Sequence, residues 1–244
     1  MDAGMTDFRK RFERQIRFLR ERFSPEGRAG LHLTIGVLVV LLTGYWFGEI
    51  AENLSANHPL AHLDQHVAVW FNQHTTPAII HIAKAISFFG SVAWVTLITL
   101  CLALFFIWQR DWLNFFLVAL TMIGGSILNV FLKHYFHRQR PILENPLVTL
   151  SSYGFPSGHT MGAILLYGLL ALYGWRNLKT RRARLAAALG ACVLVLLIGF
   201  TRIYLGAHFL SDVLGALTAG ILWLTFCWTA IETLQGRQAQ SRPG

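Results

Sequence analysis

Residues 87–108 read SFFGSVAWVTLITLCLALFFIW, with no acidic or basic side chain anywhere in the run. Residues 112–133, WLNFFLVALTMIGGSILNVFLK, follow after three polar positions and carry a single charge, at their last residue. A helix rises about 1.5 Å per residue, so roughly 20 apolar residues cross the hydrocarbon core of a bilayer. Two such runs, back to back, predict an antiparallel pair of membrane helices. The rest of the chain agrees: of 244 residues 54% are hydrophobic and only 14% charged, with 8 Trp and 18 Phe, and the mean hydropathy is +0.47. A soluble domain carries about a quarter charged residues. This composition excludes a disordered chain, a secreted disulfide scaffold and an ordinary cytosolic enzyme. Cys101, Cys192 and Cys227 all lie in apolar runs without metal-type spacing and read as small packing residues.

Outward from that pair, further spans are expected at 31–49, 159–175, 185–201 and 207–231, giving an all-α, polytopic membrane protein with six transmembrane helices and one domain over 31–233. A short helix from Pro77 is expected ahead of the second span. No apolar region precedes Leu31, so no cleavable signal is expected and the first span is expected to stay as an anchor. Residues 5–23 place Met5, Phe8, Phe12, Ile16, Leu19 and Phe23 on one helical stripe, with Arg and Lys filling most of the rest. Within residues 1–30 this predicts a basic amphipathic helix in the membrane interface, the alternative being a cytosolic helix packed on the bundle. Residues 234–244 are expected to form a disordered tail.

The formal charge of +9 suggests nucleic acid until its placement is read. With six spans, the N-terminus, the 109–111 turn, the 176–184 loop and the tail share one side and hold 8, 1, 5 and 2 of the 21 basic residues. The other side holds only Lys84, Lys133, Arg138, Arg140 and Arg202. The positive-inside rule puts the first group and both termini in the cytoplasm. Topology then accounts for the charge without a nucleic-acid partner.

Between the first two spans, residues 50–76 carry an apolar stripe of Leu60, Leu63, Val67, Trp70 and Phe71, which predicts a short interfacial helix. His58, His62 and His66 recur every fourth position on its other face. Such spacing suits a metal, but no further ligand is in register, and a solvated polar face is the expectation.

What remains on the outer side is a set of residues at span ends. Lys133, Arg140-Pro141, the loop Tyr153–Thr160, Thr201-Arg202, His208 and Asp212 all reach one membrane face. Converging ionisable groups in a membrane protein read as a site. Lys133, Arg140 and Arg202 supply three cations, two of them guanidinium forks suited to phosphate oxygens. Pro156-Ser157-Gly158 precedes a helix start, where free N–H groups and the helix dipole favour an anion. His208 and Asp212 are one helical turn apart, so the carboxylate can hold the imidazole tautomer, and His159 can supply a proton from another helix. Singly, each residue reads as an interfacial anchor, a cap or a core histidine; those separate explanations do not account for the shared face. His134, His137 and Arg138 stay outside the set.

Lys133-x6-Arg140-Pro141, then Pro156-Ser157-Gly158-His159, then Thr201-Arg202-x5-His208-x3-Asp212 resembles the three-part signature of type-2 phosphatidic acid phosphatases, a superfamily that includes vanadium haloperoxidases and glucose-6-phosphatase-like enzymes. One departure is Thr201, where the signature usually has Ser. The resemblance covers residues 112–231 and implies that His208 attacks phosphorus to form a phosphohistidine, Asp212 orients it, and His159 protonates the leaving group. It implies that Lys133, Arg140, Ser157, Gly158 and Arg202 bind the substrate phosphate, with no metal and no cofactor. It further implies a lipid phosphatase; the charge bias sets its site on the periplasmic or extracellular face, and the basic N-terminal helix fits the cytoplasmic leaflet of a bacterial inner membrane. The substrate class then comprises polyprenyl pyrophosphate such as undecaprenyl pyrophosphate, phosphatidic acid, phosphatidylglycerol phosphate or a glycolipid phosphate. Transfer to an acceptor other than water, vanadate chemistry and a non-enzymatic lipid-binding role are the alternatives.

Overall fold

The structure, a computed structural model, describes residues 28–54, 58–144, 146–148 and 150–240, and for residues 28–32 and 235–240 the backbone alone. The amphipathic helix expected at 5–23 lies outside the described residues.

Without water to satisfy backbone N–H and C=O groups, an apolar span closes its hydrogen bonds within one helix, and the described residues hold helices and no strand. In chain order they are α1 (Arg28–Glu52), α2 (Pro59–Gln73), α3 (Pro77–Phe88), α4 (Val92–Trp108), α5 (Trp112–Phe136), α6 (Gly158–Asn177), α7 (Arg181–Tyr204) and α8 (Leu210–Gln240). Local chemistry starts most of them. Pro59 and Pro77 stand at the first helical positions of α2 and α3, where the missing N–H costs nothing. Ser91, Asp111, Ser157 and Thr180 each accept from a backbone N–H three residues on and so cap α4, α5, α6 and α7.

Five stretches have the length and apolarity to cross a membrane: Leu33–Glu52, Pro77–Trp108, Trp112–Phe136, Arg181–Tyr204 and Leu210–Leu234. The expected span at 159–175 forms as α6 but is not among them, because Gly158, His159, Thr160 and three more glycines dilute its apolarity. α6 is instead the buried centre, in contact with α4, α5, α7 and α8. Its Met161, Leu165, Leu166 and Leu169 pack with Phe106, Leu117, Met122, Ile198 and Ala216. The outer surface is as apolar as the core: Leu104 and Ile127 are 65% and 64% exposed whereas Leu166 is 0% exposed. A surface of that kind is stable only against lipid.

The structure corrects two expectations. The run that begins at Ser87 is broken at Phe89–Ser91, so α4 starts at Val92 and the preceding turn ends α3. The tail expected to be disordered from residue 234 continues α8 as helix to Gln240. α2 forms where expected: Leu63 and Trp70 of its apolar stripe are exposed, Leu60, Val67 and Phe71 are half-buried, and Asp64 and Ala68 turn inward and are buried. The inward face carries a carboxylate because a guanidinium waits for it there.

At one end of the bundle Arg176 pairs with Glu232 and lies 4.0 Å over the Trp228 ring. At the other end the termini of α3 to α8 meet, and the connecting segments 137–157 and 205–209 lie among them.

Candidate active site

The three motif segments are joined to one another by backbone contacts. Gly154 N donates to Arg138 O at 2.8 Å, and Ser157 N donates to Asp212 O at 3.0 Å. A Cβ at Gly154 would lie 3.1 Å from Asp212 Oδ2 and 3.3 Å from Gln139 O, tighter than most Cβ contacts, so glycine eases the approach. The turn from α7 to α8 is fixed by Gly206, whose φ of 66° is left-handed. Beyond it, Ala207 N and His208 N both donate to Arg202 O, at 3.0 and 3.2 Å. This brings together Arg202, in the last turn of α7, and His208, in the segment that precedes α8.

Lys133, in the last turn of α5, donates from Nζ to Tyr153 O at 2.6 Å. Arg140 uses its whole fork: Nε donates to Ser152 O (2.6 Å), Nη1 to Ala207 O (2.6 Å), and Nη2 to Ser152 Oγ (3.0 Å) and Tyr153 O (3.3 Å). Nη1 also stands 3.1 Å from His208 Nε2. Guanidinium can only donate, so His208 Nε2 is an acceptor here and its proton sits on Nδ1. Nδ1 faces Asp212 Oδ2 at 3.4 Å, an ion-pair distance longer than a good hydrogen bond. Asp212 Oδ2 accepts from Phe209 N at 2.9 Å and Oδ1 from Arg138 Nη1 at 2.7 Å. His208 and Asp212 are 1% and 0% exposed, so this pair is walled off from bulk water. Burial, opposed by the Asp212 charge, pushes the His208 pKa down from 6.5 to about 4, which leaves the imidazole neutral with a free lone pair at Nε2. Burial likewise lowers the Arg140 pKa from its ordinary value, with Asp212 opposing.

Arg202 is buried at the end of α7; its Nη1 donates to Ser87 Oγ at 2.8 Å and its Nε has no hydrogen-bond partner among the described residues. Ser157 is fully enclosed, caps α6 and accepts from Thr160 Oγ1 at 3.1 Å. The Thr201 hydroxyl donates to Ile198 O at 2.7 Å within its own helix, so the departure from Ser at this position is absorbed by the helix backbone.

A cavity of about 450 Å³ opens on these groups. Lys133, Arg140, Gly158, His159 and His208 line one part of it, and Val92, Val95, Met122, Val130, Met161 and Leu165 of α4, α5 and α6 line the rest. Five of the eight expected site residues thus share one wall. Asp212 stands behind His208, whereas Ser157 and Arg202 are enclosed next to the cleft instead of lining it.

Sequence reasoning missed Asp64, Ser87, Ser152, Ser211 and the position of Arg138. Arg138 binds Asp212 and Asp64 at 2.7 and 2.6 Å. The signal was present in Arg138 itself, a cation two positions from Arg140 on the less basic side. His58 caps α2 through Nδ1, accepting from Leu60 N at 3.2 Å, and His62 and His66 are exposed. Among the described residues no group of three His, Cys, Asp or Glu is placed to hold a metal.

A helical membrane bundle with histidines and cationic side chains gathered around a cavity at one end is the class that fold and site define. The family model for the PAP2 superfamily matches residues 114–235, half of the chain. The chain belongs to that superfamily. It is 36% identical over 118 residues to phosphatidylglycerophosphatase B of Bacillus subtilis (strain 168), covering 48% of this chain and 57% of that protein. It is 31% identical over 108 residues to undecaprenyl-diphosphatase BcrC of the same organism, covering 43% of this chain and 51% of the relative. The matches thus span only slightly more than half of those relatives. A crystal structure of a transmembrane PAP2-type phosphatidylglycerolphosphate phosphatase from Bacillus subtilis superposes with a TM-score of 0.72 at 24% identity, over 83% of this chain and 97% of that one. This last likeness is one of fold.

Proposed function

We propose that this chain is an integral-membrane lipid phosphatase that hydrolyses a phosphomonoester or diphosphate lipid through a phosphohistidine on His208. The observation that carries the reading is the cavity with two chemistries, cationic and nucleophilic at one part and apolar between α4, α5 and α6 along the rest. A lipid phosphate has the same division. Both relatives' names refer to phosphatases of lipid substrates, a phosphatidylglycerophosphate and an undecaprenyl diphosphate.

The chemistry follows from the geometry. An arriving phosphate is a charged acceptor and competes well against the neutral His208 Nε2 for the Arg140 Nη1 donor. Arg140 moves onto a phosphate oxygen, joined by Lys133, by the unpartnered Arg202 Nε and by the N-terminal N–H groups of α6, with Ser157 setting the start of that helix. His208 Nε2, released, attacks phosphorus. The P–N bond forms as the P–O bond to the lipid breaks, and His159 gives its proton to the departing oxygen. The Nδ1 proton stays on the imidazole, held by Asp212, whose charge offsets the positive charge that develops on the ring. Water then attacks phosphorus, His159 takes the water's proton, and the P–N bond breaks to return neutral His208 and inorganic phosphate. Three protein cations stand where other phosphatases use a divalent metal, so the reaction is proposed to need none.

Counting α1, the α3–α4 unit, α5, α6, α7 and α8 as six spans, the bias of basic residues supports both termini in the cytoplasm and the site at the periplasmic or extracellular surface of a bacterial inner membrane. No nucleic-acid partner is proposed.

The test is phosphate release by the purified chain in detergent with EDTA present, from a panel of phosphatidic acid, phosphatidylglycerol phosphate and polyprenyl diphosphates. Release from one class that falls by about 10³-fold or more in His208→Ala is expected. Equal release by His208→Ala contradicts the mechanism. A phosphorylated acceptor in place of free phosphate assigns transfer instead of hydrolysis.

A further inference from the structure

Behind the cleft Asp212 belongs to a buried polar unit with Arg138, Asp64 and Ser211, and the reaction above uses only Asp212 of the four. The Arg138 guanidinium lies 4.7 Å over the Phe209 ring and bridges two carboxylates: Nη2 to Asp64 Oδ2 at 2.6 Å, and Nη1 to Asp212 Oδ1 at 2.7 Å, with Ser211 Oγ at 2.5 Å. Asp64 also accepts from Ser211 N at 2.9 Å and from the Ser211 hydroxyl. Asp64 is 1% exposed, Asp212 and Ser211 are 0% exposed, and the Arg138 side chain is 11% exposed. Neither Asp64 nor Arg138 lines the cleft.

Two buried carboxylates around one guanidinium are costly to desolvate, and apolar side chains would serve mere packing as well or better. The arrangement has a directional use. Asp212 offers Oδ2 to His208 and Phe209 N, and Oδ1 to Arg138. Arg138 therefore fixes the rotation of the carboxylate, and Asp64 fixes Arg138 from its far side. Asp64 belongs to α2, so a helix between the first two spans is coupled to the nucleophile through Arg138 and Asp212.

We propose that Asp64 and Arg138 are positioning residues that hold Asp212 in the orientation in which it secures the His208 tautomer, making α2 part of the catalytic apparatus. The proposal rests on the reading of His208 as nucleophile. Asp64 and Arg138 touch no reacting atom; they set how well the next residue does its work, so their loss reads in kcat and leaves KM in place.

The test is steady-state phosphate release by the full chain in detergent from dioleoyl phosphatidic acid or farnesyl diphosphate, whichever the wild type hydrolyses. Rates are taken per folded molecule, with the folded fraction measured by gel filtration and thermal unfolding. In Asp64→Asn and Arg138→Gln, kcat is expected to fall about tenfold or more, and the double variant to be no slower than Arg138→Gln alone, as expected for residues on one link. KM should change less than about twofold, and Arg138→Lys, which keeps a cation between the carboxylates, should recover much of the loss. Asp64→Asn keeps the side-chain shape and an oxygen for Ser211 N–H, so it tests the link even if Arg138→Gln fails to fold. Wild-type kcat in Asp64→Asn overturns the proposal, as do losses that multiply in the double variant or losses that vanish when counted per folded molecule. Activity retained in His208→Ala refutes the nucleophile reading itself and is read from that variant alone.

Discussion

At the scale of single residues, the chemistry turns on how His208 is held. Its proton is on Nδ1 because Arg140 donates to Nε2, and burial lowers its pKa from 6.5 to about 4. An imidazole attacks only when unprotonated, and a lowered pKa keeps it so as pH falls through 6.5, with protonation setting in only as pH nears 4. In protein labelled with ¹⁵N-histidine, the His208 signals, assigned by their absence in His208→Ala, should keep the neutral Nδ1–H pattern down to about pH 5. A midpoint at 6.5 contradicts this environment. Lys133, Arg140, His159, His208 and Asp212 were legible in the sequence because each is a chemically active residue at the end of an apolar run, where few reasons for a charge exist. Asp64 and Ser211 were not. The partners of Arg138 lie 74 positions away on either side, and Asp64 to Ser211 is a separation of 147; nothing local in a sequence marks a pair that only folding creates.

At the scale of elements, the turn between α7 and α8 sets where His208 stands. Gly206 at φ 66° has no Cβ to clash with its carbonyl, and a Cβ there would run into Leu143. Gly206→Ala should lower stability by about 1–2 kcal/mol, the cost of a left-handed L-residue, seen as an earlier thermal transition in detergent; an unchanged transition contradicts the assigned turn. Long helices were legible from length and apolarity, and their starts from Ser, Thr, Asp and Pro. α2 and α6 show where that reading runs out. The apolar stripe of α2 was legible, but nothing local in it marks Asp64 as the side chain that turns inward beside Ala68. α6 is the helix most enclosed by others, so its small and polar residues meet protein instead of lipid, and average apolarity understates its depth.

At the scale of the whole molecule, the cleft between α4, α5 and α6 links the cations to the apolar wall. Val130 is half-exposed on α5 and lines this cleft. Val130→Trp should therefore raise KM for a long-chain lipid phosphate by about tenfold while leaving hydrolysis of a short-chain phosphate little changed. Equal effects on both substrates contradict a tail-binding cleft. The inside-out distribution of apolar residues was legible in composition; the cleft was not, because it is a space left between helices and belongs to no one segment. The central claim, that His208 carries the phosphoryl group, is tested most directly by quenching the purified chain at alkaline pH during turnover of ³²P-labelled phosphatidic acid or polyprenyl diphosphate and mapping the label. The account predicts alkali-stable, acid-labile ³²P on the peptide containing His208, absent in His208→Ala and retained longer in His159→Ala. Label on another residue, or rapid phosphate release with no protein-bound ³²P at any quench time, contradicts it.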